Sequence, residues 1–367
     1  MITLHVDLGE EWRGGQHQAL QLMRGLRSRG HVAELVALRD SPLARRAQAE
    51  GIAVHEAGRL APQLLAALPL KKLAGQARFE VVHIHDAHGL TPAWLAGVHK
   101  RARLIVSRRV IYPIPQNPLA LARYRAVHRV VAVSRFVKET LLTSGLARDQ
   151  VEVIYDGVEL PPVPGLEERL EARRRWNVPD SSDGPLLGHA GYFLAEKGQE
   201  SLIRALPMVQ ERYPHCRLLL PGDGPCRTRL EQLARYLGVQ SAVVFPGFVD
   251  DIEQVYRALD VYIFPSRAEG LGSSLLSAMS YGLPVVAVAQ CAVPEVIQDG
   301  RNGLLVPSPD TEAIAAAILR LLDDSSLSAS LGAAARATIQ QRFSADRLVQ
   351  DTLGLYERLC AGPESER

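Results

Sequence analysis

The sequence predicts an α/β protein made of two doubly wound parallel-sheet units in succession. Three observations carry this. Short apolar runs rich in β-branched residues alternate with amphipathic helical stretches along most of the chain. The runs are nearly continuous in apolar character, as parallel strands buried on both faces should be. The alternation breaks once, at a proline-rich stretch, and then starts again. At 367 residues the chain can bury two such cores.

In the first unit, strands are expected at Ile2–Val6, Val32–Leu38, Val81–Ile84, Leu104–Val106, Val130–Val133 and Val151–Ile154. Between the first two, Gln16–Arg29 sets Ala19, Leu22, Met23 and Leu26 on one helical face, with Gly30 as its stop. Pro161, Pro162 and Pro164 stiffen a connector over Asp156–Gly165. A charged, helix-prone segment (Glu167 to Trp176) and a polar loop (Asp180 to Gly184) lead into the second unit. Its strands are expected at Leu186–Ala190, Arg217–Leu220, Val243–Phe245, Val261–Phe264, Val285–Ala287 and Leu304–Val306. The tail from Asp310 to Leu359 reads as helix throughout. The domains are then residues 1–163 and 164–342, followed by a closing segment, 343–367. Sheets of this kind bind ligands at the carboxyl ends of their strands, so the expected site is a central cleft between the two units.

Hydrophobic residues at 47% and charged ones at 22% describe an ordinary globular chain. No apolar run approaches the roughly 20 residues that span a bilayer, and no signal-peptide pattern opens the chain. The four cysteines show neither close pairing nor metal-ligand spacing, which suits a reducing, cytoplasmic setting. No nucleic-acid motif is present. The net charge of +2 conceals an asymmetry: residues 1–165 carry 22 Lys/Arg against 14 Asp/Glu, the remainder 20 against 26. A basic first half suits an anionic membrane surface or a phosphate-bearing substrate, and scattered arginines equally suit a solvated face.

The chemistry concentrates where strands meet helices. From Phe264 to Ala287, an apolar strand runs into Glu269, then Gly270, Leu271 and Gly272, then Ser273, Ser274 and a helix. Small residues at a helix mouth let an anion approach the free N–H groups of the first turn. A carboxylate beside such a cradle suits the hydroxyls of a nucleotide-sugar. Glu196-Lys197-Gly198 opens another helix, and its lysine is a compact cation suited to a diphosphate. Gly222-Asp223-Gly224-Pro225 closes the next strand, with Pro225 placed to start a helix. In the first unit, Gly14-Gly15 follows the first strand and would allow positive φ and close approach to a helix N-terminus. His83, His85 and His88 follow or lie on a strand. Alternation along that strand works against their convergence on one metal ion. His83 is therefore expected to be a hydrogen-bonded core residue. Asp86 and His88 are expected to face the acceptor, with Asp86 orienting His88.

The order of GG, EKG, LLLPGDGP, VVFPGFVDD, FPSRAEGLG, AMSYGLPVVA and PEVIQDGRNGLLVP, with a helical tail, resembles retaining GT-B glycosyltransferases of family 4. That resemblance implies two Rossmann-like domains, a donor site in the second, an acceptor site in the first, no cofactor and no divalent metal. It implies a donor of UDP, GDP or ADP type and a glycan or lipid-linked acceptor. Lys197 matches the lysine at the donor diphosphate, and Glu269 the first glutamate of a Glu-x7-Glu signature that holds the transferred sugar. Gly272, Ser273 and Ser274 match the amides around phosphate and sugar, and Gly15 the first-domain glycine that closes over the diphosphate. Residues 343–359 match a helix that crosses back to the first domain. Three departures stand out, and the first is Tyr192, in Gly191-Tyr192-Phe193, where an arginine often precedes the lysine. Ser277 occupies the place of the second glutamate, which binds ribose, and Arg109 takes the place of a first-domain histidine. Arg109 is accordingly a candidate contact to a donor phosphate or an anionic acceptor. Lipopolysaccharide or other envelope-glycan assembly at the inner face of the plasma membrane is the expected setting. The alternatives are a different reaction at the same donor site, epimerisation or hydrolysis, and a silent binding subunit.

Overall fold

The structure, a computed structural model, describes residues 1–59, 61, 65–76, 78–176, 184–307 and 310–361. All but the last residue of the polar loop expected at Asp180–Gly184 lies outside the described residues. The chain divides into two compact units, Met1–Gly157 with Ala345–Arg367, and Val158–Ser344.

Among the described residues, the first unit holds seven parallel strands: β1 (Ile2–Asp7), β2 (Val32–Leu38), β3 (Val54–Ala57), β4 (Val81–Ile84), β5 (Arg103–Arg108), β6 (Arg129–Ala132) and β7 (Val151–Val153). Their spatial order is 3-2-1-4-5-6-7, so the winding reverses between β1 and β4. Its helices are α1 (Gly14–Ser28), α2 (Pro42–Ala49), α3 (Ala67–Gly75), α4 (Ala87–Leu95), α5 (Pro118–Arg125) and α6 (Arg135–Thr143). In the second unit, after α7 (Leu166–Arg175), β8 (Leu186–Gly188), α8 (Gln199–Gln210), β9 (Arg217–Leu219), α9 (Arg227–Tyr236), β10 (Val243–Val244), α10 (Glu253–Ala258), β11 (Val261–Phe264), α11 (Ser273–Ser280), β12 (Val285–Val288), α12 (Val293–Val296) and β13 (Leu304–Val306) alternate. That sheet runs 10-9-8-11-12-13 and reverses between β8 and β11. The helical tail comprises α13 (Thr311–Asp323), α14 (Ser325–Arg342) and α15 (Ala345–Ala361).

Side-chain alternation decides which helix covers which face of the first sheet. The apolar stripe of α15 (Leu348, Val349, Leu355, Tyr356) packs with Leu22 and Leu26 of α1 over Val81, Ile105 and Val131. The opposite face carries Val6 and Ile84, against which α4 sits so closely that a Cβ on Gly89 would lie 2.9 Å from Ile84 Cγ2. Helices α3 and α5 are neighbours of α4 on that side.

The domain boundary falls at Gly157/Val158 rather than at 163/164. Polar contacts fix it there. Gly157 O accepts from Gln18 Nε2 (2.7 Å) and Gln21 Nε2 (2.8 Å), and its N–H donates to Gln18 Oε1, which ties the residue to α1. The next residue, Val158, donates to Phe343 O in the second unit. The three prolines therefore belong to the second unit and not to the junction. The charged segment after them forms α7, yet Arg173 within it is 1% exposed. Its guanidinium is satisfied by Asp260 Oδ2 (2.8 Å) and Gly184 O (2.7 Å), as a buried cation must be.

Candidate active site

Both sheet reversals carry the singled-out residues. In the second unit, the loops after β8 and β11 flank the reversal, and they bring together Lys197 and Glu269. Lys197 Nζ donates to Glu269 Oε1 at 2.5 Å, with side chains 23% and 16% exposed. The two loops are laced through their backbones as well, because Arg267 N donates to Glu196 O at 2.8 Å. Lys197 ends a 3-10 turn, Ala195–Lys197, and Gly198 then takes φ 73° to start α8. A Cβ at Gly198 would lie 2.4 Å from Pro265 O, so the lysine loop can seat against β11 only with glycine there.

Helix α11 begins at Ser273 after Gly272, whose φ is 97° and whose Cβ would strike the Phe264 ring at 2.8 Å. No side chain caps this end of the helix, so the first-turn N–H groups of Ser273 and Ser274 stand at its mouth beside Glu269, Gly270 and Leu271. The buried hydroxyl of Tyr262, on β11, accepts from Ala190 N at 3.4 Å and so ties the loop after β8 to β11. Ser277, in the place of the second glutamate, lies within α11 one turn beyond its start. Gly222 N donates to Gly247 O, which joins the loops after β9 and β10. The helix expected to begin at Pro225 begins at Arg227 instead, because Cys226 N and Arg227 N first close a turn onto Phe193 O and Gly224 O.

His189, at the end of β8, was not singled out by sequence. Its Nδ1 lies 3.0 Å from Ile263 O and must donate the proton, leaving Nε2 a bare, buried acceptor without a partner among the described residues. Burial pushes its pKa down to about 3, with the Lys197 charge acting in the same sense.

In the first unit, the reversal lies between β1 and β4. Gly14 and Gly15 are the first two residues of α1 and neither has positive φ, which corrects the expectation. What their small size provides is room: the nearest group to a Cβ on Gly15 would be Arg109 Cδ, at 3.8 Å. Arg109, after β5, is held by Asp156, with Nε to Oδ1 at 3.0 Å and Nη1 to His85 O at 3.3 Å. Burial pushes the Asp156 carboxyl up and Arg109 pushes it down. The single Nε–H of Arg109 is shared between both carboxylate oxygens, at 3.0 and 3.3 Å, and the geometry is that of an ion pair.

Asp86 is the N-cap of α4, where its carboxylate accepts from Gly89 N (2.9 Å) and Leu8 N (3.1 Å). Asp7, missed by sequence, lies beside it and accepts from Gln16 Nε2 and Gly9 N. Burial raises both carboxyls, and the Asp7 charge helps push Asp86 up to about 7. His88 is exposed on the first turn of α4.

His83 is the buried, hydrogen-bonded residue expected, set between Tyr356 OH (2.6 Å) and Ser107 Oγ (2.8 Å). The argument from alternation needs correction, however. Positions 83 and 85 share a sheet face, and His5 of β1 joins them there in place of His88. One ring nitrogen from each lies within 4.8 Å of the others. Thr3 Oγ1 donates to Val32 O and so accepts from His5 Nε2; His5 Nδ1 then accepts from His85 Nε2 at 2.9 Å. Every ring nitrogen but His85 Nδ1 has a partner, and burial holds all three rings neutral.

Residues 184–324 match the family described as glycosyl transferases group 1, and residues 12–160 match glycosyltransferase family 4. The chain is a member of glycosyltransferase family 4. An uncharacterized glycosyltransferase of Methanocaldococcus jannaschii is 32% identical over 62% of this chain and 60% of that protein. The lipopolysaccharide core biosynthesis glycosyltransferase LpsE of Rhizobium meliloti is 34% identical over 51% of this chain and 54% of its own length. The chain thus spans less than two thirds of these relatives. Anabaena HepE, solved with UDP and glucose, superposes with a TM-score of 0.83 at 21% identity, covering 97% of this chain and 99% of its own. The fold of this family-4 chain is therefore GT-B, with a Rossmann-like sheet in each unit.

Proposed function

We propose that this family-4 chain transfers a sugar from a nucleoside-diphosphate sugar to a hydroxyl acceptor, with retention of configuration and without a divalent metal. The observation that carries this is the Lys197–Glu269 pair beside the uncapped mouth of α11. A diphosphate leaving group develops charge as the glycosidic bond breaks. An ammonium and oriented N–H groups neutralise that charge in the transition state more than in the ground state, and this lowers the barrier. Lys197 is assigned to the diphosphate, and Glu269 to the sugar hydroxyls. Gly270, Leu271, Gly272, Ser273 and Ser274 are assigned to phosphate and sugar, Gly222 to the nucleoside, and Gly14 and Gly15 to the diphosphate from the first unit.

On the acceptor side, Asp86 and His88 are assigned to acceptor hydroxyls. Arg109 is assigned to an anionic group, oriented by Asp156. The relatives include a protein named for lipopolysaccharide core biosynthesis and one named as a GDP-mannose-dependent phosphatidylinositol monomannoside mannosyltransferase. Both names support an envelope glycan or lipid-linked acceptor met at the cytoplasmic face of a membrane. Thermal shift with UDP, GDP and ADP tests the donor reading. One diphosphate should stabilise the chain selectively, and indifference to all three would end the proposal.

A further inference from the structure

The sheet face of the first unit that carries α3, α4 and α5 has a composition unlike an ordinary solvated surface. Glu80 and Asp86 are the only acidic residues between Ala57 and Lys138, and none lies within α3, α4 or α5. Asp86 is turned inward as the N-cap of α4. The cations are turned outward. Lys71 and Lys72 on α3, Lys100 and Arg101 after α4, and Arg125 at the end of α5 are exposed, and none forms an ion pair among the described residues. A solvated helix of a globular protein ordinarily mixes both signs, so five unpaired cations without a carboxylate among them call for an external anion.

Apolar side chains stand among these cations. Leu68 on α3 is 67% exposed, Leu119 on α5 55% and Leu95 on α4 51%. In α3, the positions that face the core are Leu70, Leu73 and Ala74, so Leu68 and Lys72 share the opposite face, four residues apart. In α5, Ala120 and Tyr124 face inward and Leu119 outward. Each of the three neighbouring helices thus presents an exposed leucine in a stretch rich in exposed, unpaired cations.

From this charge pattern we infer that the α3–α4–α5 face docks on an anionic phospholipid bilayer, its leucines entering the headgroup–acyl boundary and its cations pairing with lipid phosphates. A polyanion without an apolar phase would leave the leucines in water, and a second copy would bring like charge against like. A negatively charged bilayer answers both features at once. The inference rests on the membrane-side location proposed above and not on the transfer chemistry. Each cation near such a surface contributes about a fivefold gain in partitioning.

Flotation of the full chain with vesicles tests it. Vesicles of phosphatidylcholine mixed with phosphatidylglycerol should carry the protein up, and phosphatidylcholine alone should not; raised salt should weaken the binding. L68E combined with L119E should lower partitioning about tenfold or more, and K71A combined with K72A should lower it by a similar factor. Both variants should keep the parental melting temperature and the parental affinity for nucleoside diphosphate. Equal flotation with and without anionic lipid overturns the inference, and so does flotation unchanged by either variant. Loss of a concentration-dependent dimer in L68E/L119E would also overturn it, in favour of self-association. A chain that floats normally yet binds no nucleoside diphosphate would sink the donor reading and leave this face standing.

Discussion

Lys197 and Glu269 sit on loops 72 residues apart in sequence, yet the ammonium donates directly to the carboxylate at 2.5 Å. The two groups assigned to different parts of one substrate are each other's partner. A donor must therefore insert its diphosphate and sugar into an existing ion pair. Each group is then held in place before substrate arrives, which is the preorganisation that electrostatic catalysis needs.

Lys197→Ala should lower kcat/KM about 100- to 1,000-fold, because it removes a charge that the leaving group needs most in the transition state. Glu269→Ala should cost a similar factor through the sugar. Steady-state kinetics with the donor found by thermal shift gives both numbers. Parental rates in both variants would show that the pair is structural only.

Arg109 and Asp156 offer a test in the first unit. Their side chains are 14% and 9% exposed, so removing the carboxylate leaves a cation with little water. Asp156→Ala should lose about 3 kcal/mol of stability. The double variant with Arg109→Ala should recover part of that loss, as expected when a stranded charge is the main penalty. Urea denaturation of the four proteins measures the coupling. An additive cycle would mean that the pair contributes nothing.

How much of this was legible beforehand follows from what each element presents to the sequence. The buried strands were readable because both faces are apolar. β3 was not, because it is an edge strand whose residues include His55 and Glu56. Lys197 and Glu269 were legible through the glycines that their loops require. His5, Asp7 and Asp156 were not, because each acts through a neighbour distant in sequence: His85, Asp86 and Arg109. A polar residue at the end of an apolar strand says nothing by itself about which strand will lie beside it.

The buried histidines fix the sign of the acid response. His5, His83, His85 and His189 are held neutral, with pKa values pushed below the ordinary histidine range by burial. The unfolded chain takes up protons there as pH falls through about 6.5, so stability falls on acidification. Asp86 works the other way: its carboxyl, raised to about 7, keeps a proton in the folded state that the unfolded state has lost above about 4. Asp7 and Asp156, whose carboxyls burial also raises, act with Asp86, and the four imidazoles outweigh the three carboxyls. Stability should therefore drop between pH 7 and 5, each net proton contributing about 1.4 kcal/mol per pH unit. Asp86→Asn keeps the helix cap and removes one opposing carboxyl, so its decline should be steeper. Chemical denaturation across that range decides it, and a flat profile would mean that the rings titrate normally.

Ser277 tests the donor's ribose. Its short hydroxyl offers a ligand a neutral hydrogen bond where a glutamate would offer a charge-assisted one. Ser277→Glu should raise nucleoside-diphosphate affinity about tenfold, the worth of one charge-assisted hydrogen bond. Calorimetry showing equal affinity for parent and Ser277→Glu would remove the ribose from this position.

Gly198 separates two reasons for a glycine. It has φ 73°, and a Cβ there would lie 2.4 Å from Pro265 O. Gly238, in the same unit, has the same φ of 73° but nothing within 4 Å of the corresponding point. Alanine at Gly238 should cost only the left-handed backbone penalty, about 1–2 kcal/mol. Alanine at Gly198 pays that and must also push the lysine loop off β11, since a backbone oxygen cannot rotate away as a side chain could. It should therefore melt several degrees below Gly238→Ala. It should also bind nucleoside diphosphate more weakly, because Lys197 moves with the loop, whereas Gly238→Ala should bind as the parent does. Equal melting and equal affinity in the two variants would mean that the loop yields without moving Lys197, and that the close approach to Pro265 does not position it.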